Sequence, residues 1–238
     1  MAVHYGGFNP LWFNPQLWLD ASDASTLFTT YNGSTLALSG DPVGKWVDKS
    51  GLGHTPVMDF NDSRRLTKVD NILNGQAVCR FDGSIQELYW PSNFFTTIGD
   101  NTVAMVVKKT DTNVTMALFG NPSVNGVISY HYIDSKYYMG NAGGFGASTT
   151  FPLTSFSIIV TQWNQLVPSL TLNGVSKSVT FNSRPTWAGG NIQYLGYSDG
   201  IQGTQDLAEF LFFPSCLTPV NRRKVEAYLS KKWAIPVT

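Results

Sequence analysis

Residues 74–84 read NGQAVCRFDGS, and this stretch indicates how the rest of the chain folds. Asn74 and Gly75 are a turn signal, after which a short, mainly apolar run leads to Phe81. The run then ends on Asp82 and a glycine, two residue types that favour turns. A short apolar run between two turns is typical of a strand in an antiparallel sheet. The sequence leaves one question at this point, which is whether Asp82 serves chemistry or holds a turn.

Similar short runs, rich in β-branched and aromatic residues and separated by Gly, Asn, Asp and Pro, recur along the chain. They predict an all-β protein with the architecture of a β-sandwich. The clearest hairpin lies at Asn173 and Gly174, which suit the two positive φ angles of a tight turn. The glycine-rich run 140–148 is predicted to be a flexible loop. The predicted strands are 16–20, 44–48, 77–82, 102–109, 126–132, 156–163, 169–172, 176–181, 192–196 and 206–213.

One segment near the C-terminus follows helical periodicity instead. Thr218 can cap a helix that begins at Pro219, and Val225, Leu229 and Trp233 recur four residues apart. The sequence therefore predicts a C-terminal amphipathic helix. Its cations are interpreted as a solvated polar face, favourable for the helix dipole near the C-terminus. These cations are Arg222, Arg223, Lys224, Lys231 and Lys232.

Composition limits the classes of function. The 238 residues are 42% hydrophobic, which is ample for a core, and 16 basic residues balance 16 acidic ones. A nucleic-acid-binding protein would carry a basic excess, so we expect no nucleic-acid partner. No run approaches the about 20 apolar residues of a membrane span, and the start lacks a secretory signal, so a soluble chain made in a cytoplasm is expected. We divide it into an N-terminal arm, residues 1–15, and one domain, residues 16–238.

The arm carries four large aromatic side chains among glycines and prolines, without strand or helix periodicity. These side chains must be buried, either along their own sandwich or against a neighbouring subunit, and the sequence does not choose between the two. The second alternative makes them candidate assembly contacts. They are Tyr5, Phe8, Trp12 and Phe13.

Local motifs for catalysis are absent from the sequence. Glycoside hydrolysis needs two carboxylates about 5 to 9 Å apart. The three glutamates have no acidic neighbour at the alternate positions that share a face of a strand. No nucleophile elbow, P-loop or dinucleotide fingerprint occurs either. We therefore expect a protein that is not an enzyme, although a carboxylate pair assembled from distant strands stays open.

No cofactor is predicted. Calcium is the hardest to dismiss, because DASD (20–23) and YSDG (197–200) contain oxygen ligands, but neither segment is dense enough in them for a site to be expected. Cys79 and Cys216 suit neither a disulfide framework nor a zinc site. Buried free thiols are favoured for both, and a single bridge between them stays open.

Six segments occur in a characteristic order along the chain. They are LWLDASDAST (17–26), GKWVDKSGLGH (44–54), LNGQAVCRFDGS (73–84), YLGYSDG (194–200), DLAEFLFFPSCLT (206–218) and RRKVEAYLSKKW (222–233). In this order they resemble the laminin-G-like jelly roll of the concanavalin A-like lectin and glucanase superfamily. The resemblance spans about residues 16–235 and is strongest to the divergent copies in bacteriophage virion proteins and bacterial surface proteins. It implies an antiparallel jelly-roll β-sandwich with one C-terminal helix and an extended N-terminal arm.

The resemblance implies structural roles for the acids and aromatics of these segments. Phe81 would point into the core, Asp82 would receive backbone amides and Gly83 would turn the chain. Glu209 would be a partner for an arginine or a turn amide. The glucanase branch carries a Glu-x-Asp-x-Glu strand that is missing here, so no catalytic role is implied. The other structural candidates are Asp20, Asp23, Trp46, Asp48 and Trp233.

Two functions are compatible with these expectations. The first is a structural protein of a bacteriophage virion, a capsid decoration (cement) or tail-associated subunit. It would be homo-oligomeric and located on the particle, with major capsid or tail subunits as partners. The second is a carbohydrate-binding module for host or environmental glycans, in which exposed rings stack on sugars. Core packing competes for most of the candidate stacking residues, which are Trp90, Tyr137, Tyr138, Trp187 and Tyr197.

Overall fold

The computed structural model describes residues 8–58, 64–84, 86–90, 100–111, 116–120, 128–131, 135–141, 144–164, 167–181, 194–198 and 201–238. Within these residues the chain forms antiparallel sheets and one C-terminal helix, which confirms the predicted all-β sandwich. The helices in this part of the chain are too short or too polar to cross a membrane.

The helical elements are two short 3-10 helices, Pro10–Phe13 and Ala24–Thr26, and the α-helix α1, Pro219–Trp233. The strands begin with β1 (Leu17–Asp20), β2 (Leu27–Phe28), β3 (Pro42–Val43), β4 (Lys45–Trp46), β5 (Leu66–Leu73), β6 (Gln76–Asp82), β7 (Leu88–Tyr89), β8 (Asn101–Lys109), β9 (Met116–Gly120) and β10 (Ile128–His131). They continue with β11 (Tyr137–Asn141), β12 (Gly144–Ser148), β13 (Ser157–Asn164), β14 (Val167–Leu172), β15 (Val175–Lys177), β16 (Val179–Phe181), β17 (Tyr194–Leu195), β18 (Tyr197–Ser198), β19 (Ile201–Gln202) and β20 (Thr204–Phe213).

Two sheets make up the sandwich. The first, which we call the helix-side sheet, has the order β15-β14-β13-β8-β20-β6-β5-β3, and β1 pairs with β20 beside β6. The second, the outer sheet, has the order β16-β12-β11-β10-β9-β17-β7. Strand β20 is central because it pairs with β8 along one edge and with β6 and then β1 along the other.

The helix-side sheet is covered on both faces. One cluster of buried side chains combines the two sheets and includes Phe81 of β6, Trp46 of β4 and Leu88 of β7. A second cluster fills the space between the opposite face and α1, where Ala104 of β8 lies with Trp233. A sheet buried on both faces needs apolar residues at successive positions, which explains why its central strands show little alternation.

A β-bulge in β20 changes which face its side chains occupy. The register with β8 shifts between Leu207 and Glu209. Leu207, Phe210 and Phe212 belong to the core between the sheets, whereas Leu211 belongs to the core under α1. Without the extra residue, Leu207 and Glu209 would share a face, because side chains alternate along a strand. The bulge therefore turns Glu209 towards α1.

The glycine-rich run 140–148 differs from its prediction as a loop. Strand β11 pairs with β12 from Tyr138 opposite Ala147 to Asn141 opposite Gly144. Glycine has no side chain to contribute to a strand pattern, so the sequence signal is weak. The backbone hydrogen bonds to β10 and β16 on either side nevertheless place both segments in the outer sheet.

The C-terminal helix begins as predicted, since the Asn221 N–H donates to Thr218 Oγ1 at 3.3 Å. Val225, Leu229 and Trp233 are all fully buried against the sheet. The interpretation of its cations needs one correction. Lys232 is only 2% exposed, so it does not belong to a solvated face. It lies seven residues after Val225, and two helical turns bring it back to the same buried stripe.

Aspartates hold the turns between strands. The Ser84 N–H donates to Asp82 Oδ1 at 2.9 Å, and Gly83 has a φ of +80°, which suits glycine at this turn. Asp48 does more, because it accepts the backbone N–H groups of Trp18, Ser50 and His54 at 2.8 to 3.0 Å. One carboxylate thus joins β1 to the loop at 48–54.

We expect Asp48→Ala to lower the free energy of unfolding by about 2 kcal/mol, because the buried Trp18 N–H would lose its acceptor. Asp82→Ala is the matched control, since Asp82 caps a single exposed turn, and about 1 kcal/mol or less is expected there. Urea denaturation measures both. An equal effect of the two substitutions would contradict this role for Asp48.

Candidate functional site

Three tyrosines lie together at the end of the outer sheet formed by β7 and β17. Tyr89 of β7 is directly opposite Tyr194 of β17. The neighbouring residues on the two strands, Leu88 and Leu195, are fully buried in the core between the sheets. Because side chains alternate along strands, Tyr89 and Tyr194 lie on the opposite face from the two leucines, although Tyr89 is partly buried and packs against the edge of that core.

The rings of these tyrosines form one continuous surface. The centroids of Tyr89 and Tyr194 are 6.3 Å apart with an interplanar angle of 38°, and those of Tyr194 and Tyr197 are 5.4 Å apart at 73°. Gly196 makes this arrangement possible, because its φ is +84° and a Cβ there would lie 2.2 Å from a ring carbon of Phe81. We call Tyr89, Tyr194 and Tyr197 the tyrosine face.

An ion pair borders the tyrosine face. Arg64 Nη1 lies 2.8 Å from Glu87 Oε1, and the Glu87 N–H donates to the Arg64 carbonyl at 3.0 Å. The Arg64 side chain is 49% exposed, whereas Glu87 is buried. Burial raises the pKa of Glu87, while the charge of Arg64 opposes that shift. The pair presents guanidinium donors to solvent beside the rings.

The polar atoms of this surface are suited to hydrogen bonding with a neutral ligand. Burial, and then the nearby Glu87 carboxylate, raise the pKa of Tyr194, so its phenol stays protonated at neutral pH. Gln202 lies opposite Tyr197 in the β18–β19 pair, and its Oε1 is buried without a hydrogen-bond partner. Half-buried aromatic rings with a few fixed donors and acceptors are a usual composition for a site that binds a small polar molecule.

The predicted stacking residues are separated by the structure. Tyr197 belongs to the tyrosine face and lies on β18 of the separate two-stranded β18–β19 sheet, whereas Tyr138 lies half-buried on β11 of the outer sheet. Trp90 is 4% exposed and donates through Nε1 to the His54 carbonyl, and Tyr137 is fully buried. Neither Trp90 nor Tyr137 offers a ring to a ligand, because each fills the core between the sheets. Trp187 lies outside the described residues.

Most of this surface is not predicted by the sequence. Tyr89, Tyr194, Arg64 and Glu87 come from three separate parts of the chain, and only the register of β7 with β17 brings the two strands together. The available signal was the segment Tyr-Leu-Gly-Tyr, in which a buried leucine and a turn glycine separate two tyrosines.

The aromatic residues of the arm pack mostly against their own domain. The Phe8 ring lies 5.3 Å from that of Phe13 and 5.6 Å from that of Tyr228 in α1. Both phenylalanines join the core under the helix. Trp12 touches Phe8 edge-on at 5.8 Å but is 62% exposed. Tyr5 lies outside the described residues.

A buried group of charges lies under α1, and we call it the Lys232 cluster. Lys232 Nζ is 2.6 Å from Asp20 Oδ1 and 2.8 Å from Glu209 Oε2. Glu209 also accepts the Nε1–H groups of Trp18 at 2.7 Å and Trp233 at 2.6 Å. Glu209 therefore has tryptophan and lysine partners, instead of the arginine or turn amide that the resemblance implied.

Asp20 and Glu209 are a carboxylate pair assembled from distant strands, the arrangement that the sequence left open. They are directly opposite in the β1–β20 register. Burial alone would raise the pKa of Asp20, but the charges of Lys232 and Lys49 lower it. Burial raises the pKa of Glu209, and the charge of Asp20 adds to that effect. The pair is covered by α1 and is not placed to meet a glycoside.

The candidate calcium segment 20–23 presents no free set of carboxylates, and Asp199 of the segment 197–200 lies outside the described residues. Lys49 Nζ lies 2.8 Å from both Asp20 Oδ2 and Asp23 Oδ2, so a cation already occupies this position. No group of three His, Cys, Asp or Glu side chains suited to a metal occurs among the described residues. Cys79 and Cys216 are both free thiols.

We expect stability to fall in acid through the aspartates that Lys49 contacts. Burial would raise the pKa of Asp23, but hydrogen bonds from Lys49 and Ser25 lower it, and the pKa of Asp20 is also lowered. An acid with a lowered pKa stabilises the fold above its unfolded-state value and loses that contribution as the pH falls. Between about pH 5 and about pH 2, the free energy of unfolding should therefore fall more steeply for the wild type than for Lys49→Met. Parallel curves would contradict this assignment.

The fold, unlike the sequence, has known counterparts. No protein-family model matches the sequence, and none of the curated proteins does. The Trypanosoma rangeli sialidase in complex with sialic acid matches with a TM-score of 0.59 and 12% identity over 93% of this chain and 33% of the sialidase. The chain thus spans about a third of the length of that enzyme.

Two proteins that are smaller than the sialidase also have a similar fold. The receptor-binding domain of the botulinum neurotoxin C/D mosaic serotype matches with a TM-score of 0.58 and 12% identity, over 90% of this chain and 51% of that one. Domain 4 of AbnA, a GH43 extracellular arabinanase from Geobacillus stearothermophilus in complex with arabinotriose, matches with a TM-score of 0.55 and 14% identity. That match covers 75% of this chain and 91% of the domain. At these identities, the likeness establishes the fold.

Proposed function

We propose that this protein is a carbohydrate-binding module and that the tyrosine face is its binding surface. The observation that carries the proposal is the contact of Tyr194 with both Tyr89 and Tyr197. Rings at this spacing present an apolar surface several ångströms across, which matches the C–H face of a pyranose or furanose ring. The arabinotriose complex of domain 4 of the arabinanase, a protein of similar fold, supports the same class of ligand.

The polar groups around the tyrosine face provide hydrogen bonds for the hydroxyl groups of a sugar. Arg64 offers guanidinium donors from a half-exposed position, and the phenol hydroxyl of Tyr194 can both donate and accept. Sugar hydroxyls both donate and accept hydrogen bonds, so they need groups of both kinds beside the stacking rings. A neutral ion pair with protonated phenols favours uncharged saccharides over anionic ones.

A non-enzymatic role is part of this proposal, as is membership of the laminin-G-like, concanavalin A-like domains. The two-sheet architecture supports the family, and the burial of Asp20 and Glu209 under α1 supports the absence of glycosidase chemistry. A module of this kind would hold the protein on a cell-surface or environmental glycan while another component acts.

The test is a glycan array combined with a panel of soluble polysaccharides, applied to the wild type and to a Tyr194→Ala, Tyr197→Ala double variant. Binding of at least one neutral saccharide by the wild type, lost in the double variant, is the expected result. Circular dichroism controls for folding of the variant. If the double variant still binds the saccharide, the tyrosine face is not the binding surface. If the wild type binds no saccharide on the array or in the panel, the protein is not a carbohydrate-binding module.

A second candidate function is the virion structural subunit, in which the protein assembles with itself and with major capsid or tail subunits on a phage particle. Trp12 favours it, because a tryptophan that is 62% exposed on a short 3-10 helix suits a contact with a neighbouring subunit. Trp12→Ser should then abolish self-association in sedimentation experiments and leave the unfolding midpoint unchanged. Wild-type protein that sediments as a monomer at all concentrations would count against the subunit.

A further inference from the structure

The Lys232 cluster brings an amine and a carboxyl group together where water is excluded. Lys232 Nζ and Asp20 Oδ1 are 2.6 Å apart, and the two side chains are 3% and 5% exposed. Glu209 Oε2 lies 2.8 Å from the same Nζ, and its side chain is fully buried. Trp18, Tyr228 and Trp233 enclose the three charged groups, and each donates a hydrogen bond to Glu209.

We propose that Lys232 and Asp20 are a covalent modification site, at which their side chains become joined by an amide bond. Such a bond has the elements of the two side chains less one water molecule. It needs no oxidant, nucleotide or metal. Fixed contact between the reacting groups converts a slow bimolecular condensation into an intramolecular one.

Condensation requires the neutral forms of both groups. An ammonium and a carboxylate cannot condense, but moving one proton along the contact from Nζ to Asp20 gives a neutral amine and a carboxylic acid. Burial favours this neutral pair, whereas the charges of Lys232 and Lys49 hold the pKa of Asp20 below its usual value, so the neutral pair is a minor form through which the reaction proceeds. The surrounding tryptophans and tyrosine provide that burial on the α1 side of the sheet.

The reaction then balances with the groups present. The lone pair of Lys232 Nζ attacks Cγ of Asp20, and a C–N bond forms. Glu209 Oε2 accepts one proton from the nitrogen and returns it to the departing hydroxyl of Asp20. The C–O bond breaks, water leaves, and Glu209 is regenerated as a carboxylate. Glu209 is positioned for this relay because it is directly opposite Asp20 in the β1–β20 register and touches Nζ.

A second lysine near Asp20 provides an internal comparison. Lys49 Nζ lies 2.8 Å from Asp20 Oδ2, but it is shared with Asp23 and its side chain is 17% exposed. The pKa of Lys49 is raised despite its burial, because Asp20 and Asp23 both stabilise its charge. Lys49 divides its contact between two aspartates and is more exposed than Lys232, so the geometry selects Lys232 over Lys49.

The bond would join the two ends of the fold. Asp20 is on the first strand and Lys232 is near the end of the C-terminal helix, 212 positions apart in sequence. A cross-link that closes so long a loop restricts the unfolded chain strongly. It would hold α1 on the helix-side sheet when the protein is pulled or denatured.

Intact-mass measurement of the denatured full-length protein tests the proposal. We expect a mass lower by one water molecule than the sequence requires, with Met1 retained or removed. Digestion should release a branched peptide that contains both Asp20 and Lys232. Lys232→Arg should restore the full mass, because a guanidinium is not nucleophilic, and Glu209→Gln should restore it in most of the protein. Lys49→Arg is the matched control, and its mass should remain lower by one water molecule than its sequence requires.

Each outcome decides the matter. A wild-type mass equal to that of the sequence overturns the proposal, whether or not the variants fold. A loss of water that persists in Lys232→Arg, or a branched peptide that contains Lys49 instead, assigns the chemistry elsewhere and also overturns it. If all of the Glu209→Gln protein still has a mass lower by one water molecule, Glu209 takes no part in the reaction. That result would contradict the proposed relay.

Discussion

Lys232→Met is expected to lower the free energy of unfolding by about 3–5 kcal/mol, whether it removes one partner of a buried ion pair or the proposed cross-link that closes a long loop. The substitution keeps most of the volume of the side chain and removes its charge. Asp20 and Glu209 would then face each other across β1 and β20 under α1, without the cation that lies 2.6 and 2.8 Å from them. Urea denaturation followed by tryptophan fluorescence measures the effect.

Lys231→Met is the matched control, because it makes the same substitution one residue away, where the side chain is exposed. A change of about 0.5 kcal/mol or less is expected there. If both variants unfold at the same urea concentration, the Lys232 cluster does not stabilise the fold as its geometry indicates. A loss of stability confined to Lys232→Met locates the effect in the cluster.

The second large effect is expected at the tyrosine face. Tyr194→Ala should weaken binding of the saccharide found by the array about 10-fold to 100-fold, which corresponds to about 1.4 to 2.8 kcal/mol. The reason is the central position of Tyr194, whose ring contacts both Tyr89 and Tyr197. Its removal takes away the largest apolar area that a sugar ring would cover. Isothermal titration calorimetry gives the two affinities directly.

Tyr138→Ala serves as the control for that experiment. Tyr138 is also a half-buried tyrosine of the outer sheet, but it lies on β11, three strands from β17 in the sheet order. Its removal should change the affinity less than twofold, which corresponds to less than about 0.4 kcal/mol. An equal loss of affinity in the two variants would move the binding surface towards the centre of the sheet.

Much of the fold was predictable because local chemistry determines it. The turn residues at Asn173 and Gly174 have the positive φ values that their types favour, 51° and 82°. The helix at Pro219 follows from a capping threonine and a repeat of apolar residues. Asp48 and Asp82 hold turns through backbone amides within a few residues of themselves, a contact that short-range sequence can indicate.

The candidate sites were less predictable because they depend on register. Glu209 faces α1 only because a bulge in β20 shifts the alternation of its side chains, and no residue type announces that bulge. Tyr89 and Tyr194 meet across strands that are more than a hundred residues apart in the sequence. Lys232 was within reach of prediction, since its spacing from Val225 matches the buried stripe, but a lysine on such a stripe is usually assigned to solvent.

The measurement that tests the proposed function most directly is amide hydrogen exchange with and without the bound saccharide. The account predicts slower exchange confined to residues 87–89 and 194–198, the segments that carry Glu87 and the three tyrosines. At a saccharide concentration near the wild-type Kd, the Tyr194→Ala variant should show little of this protection. Protection that appears on another surface of the sandwich, with residues 87–89 and 194–198 unchanged, would contradict the account.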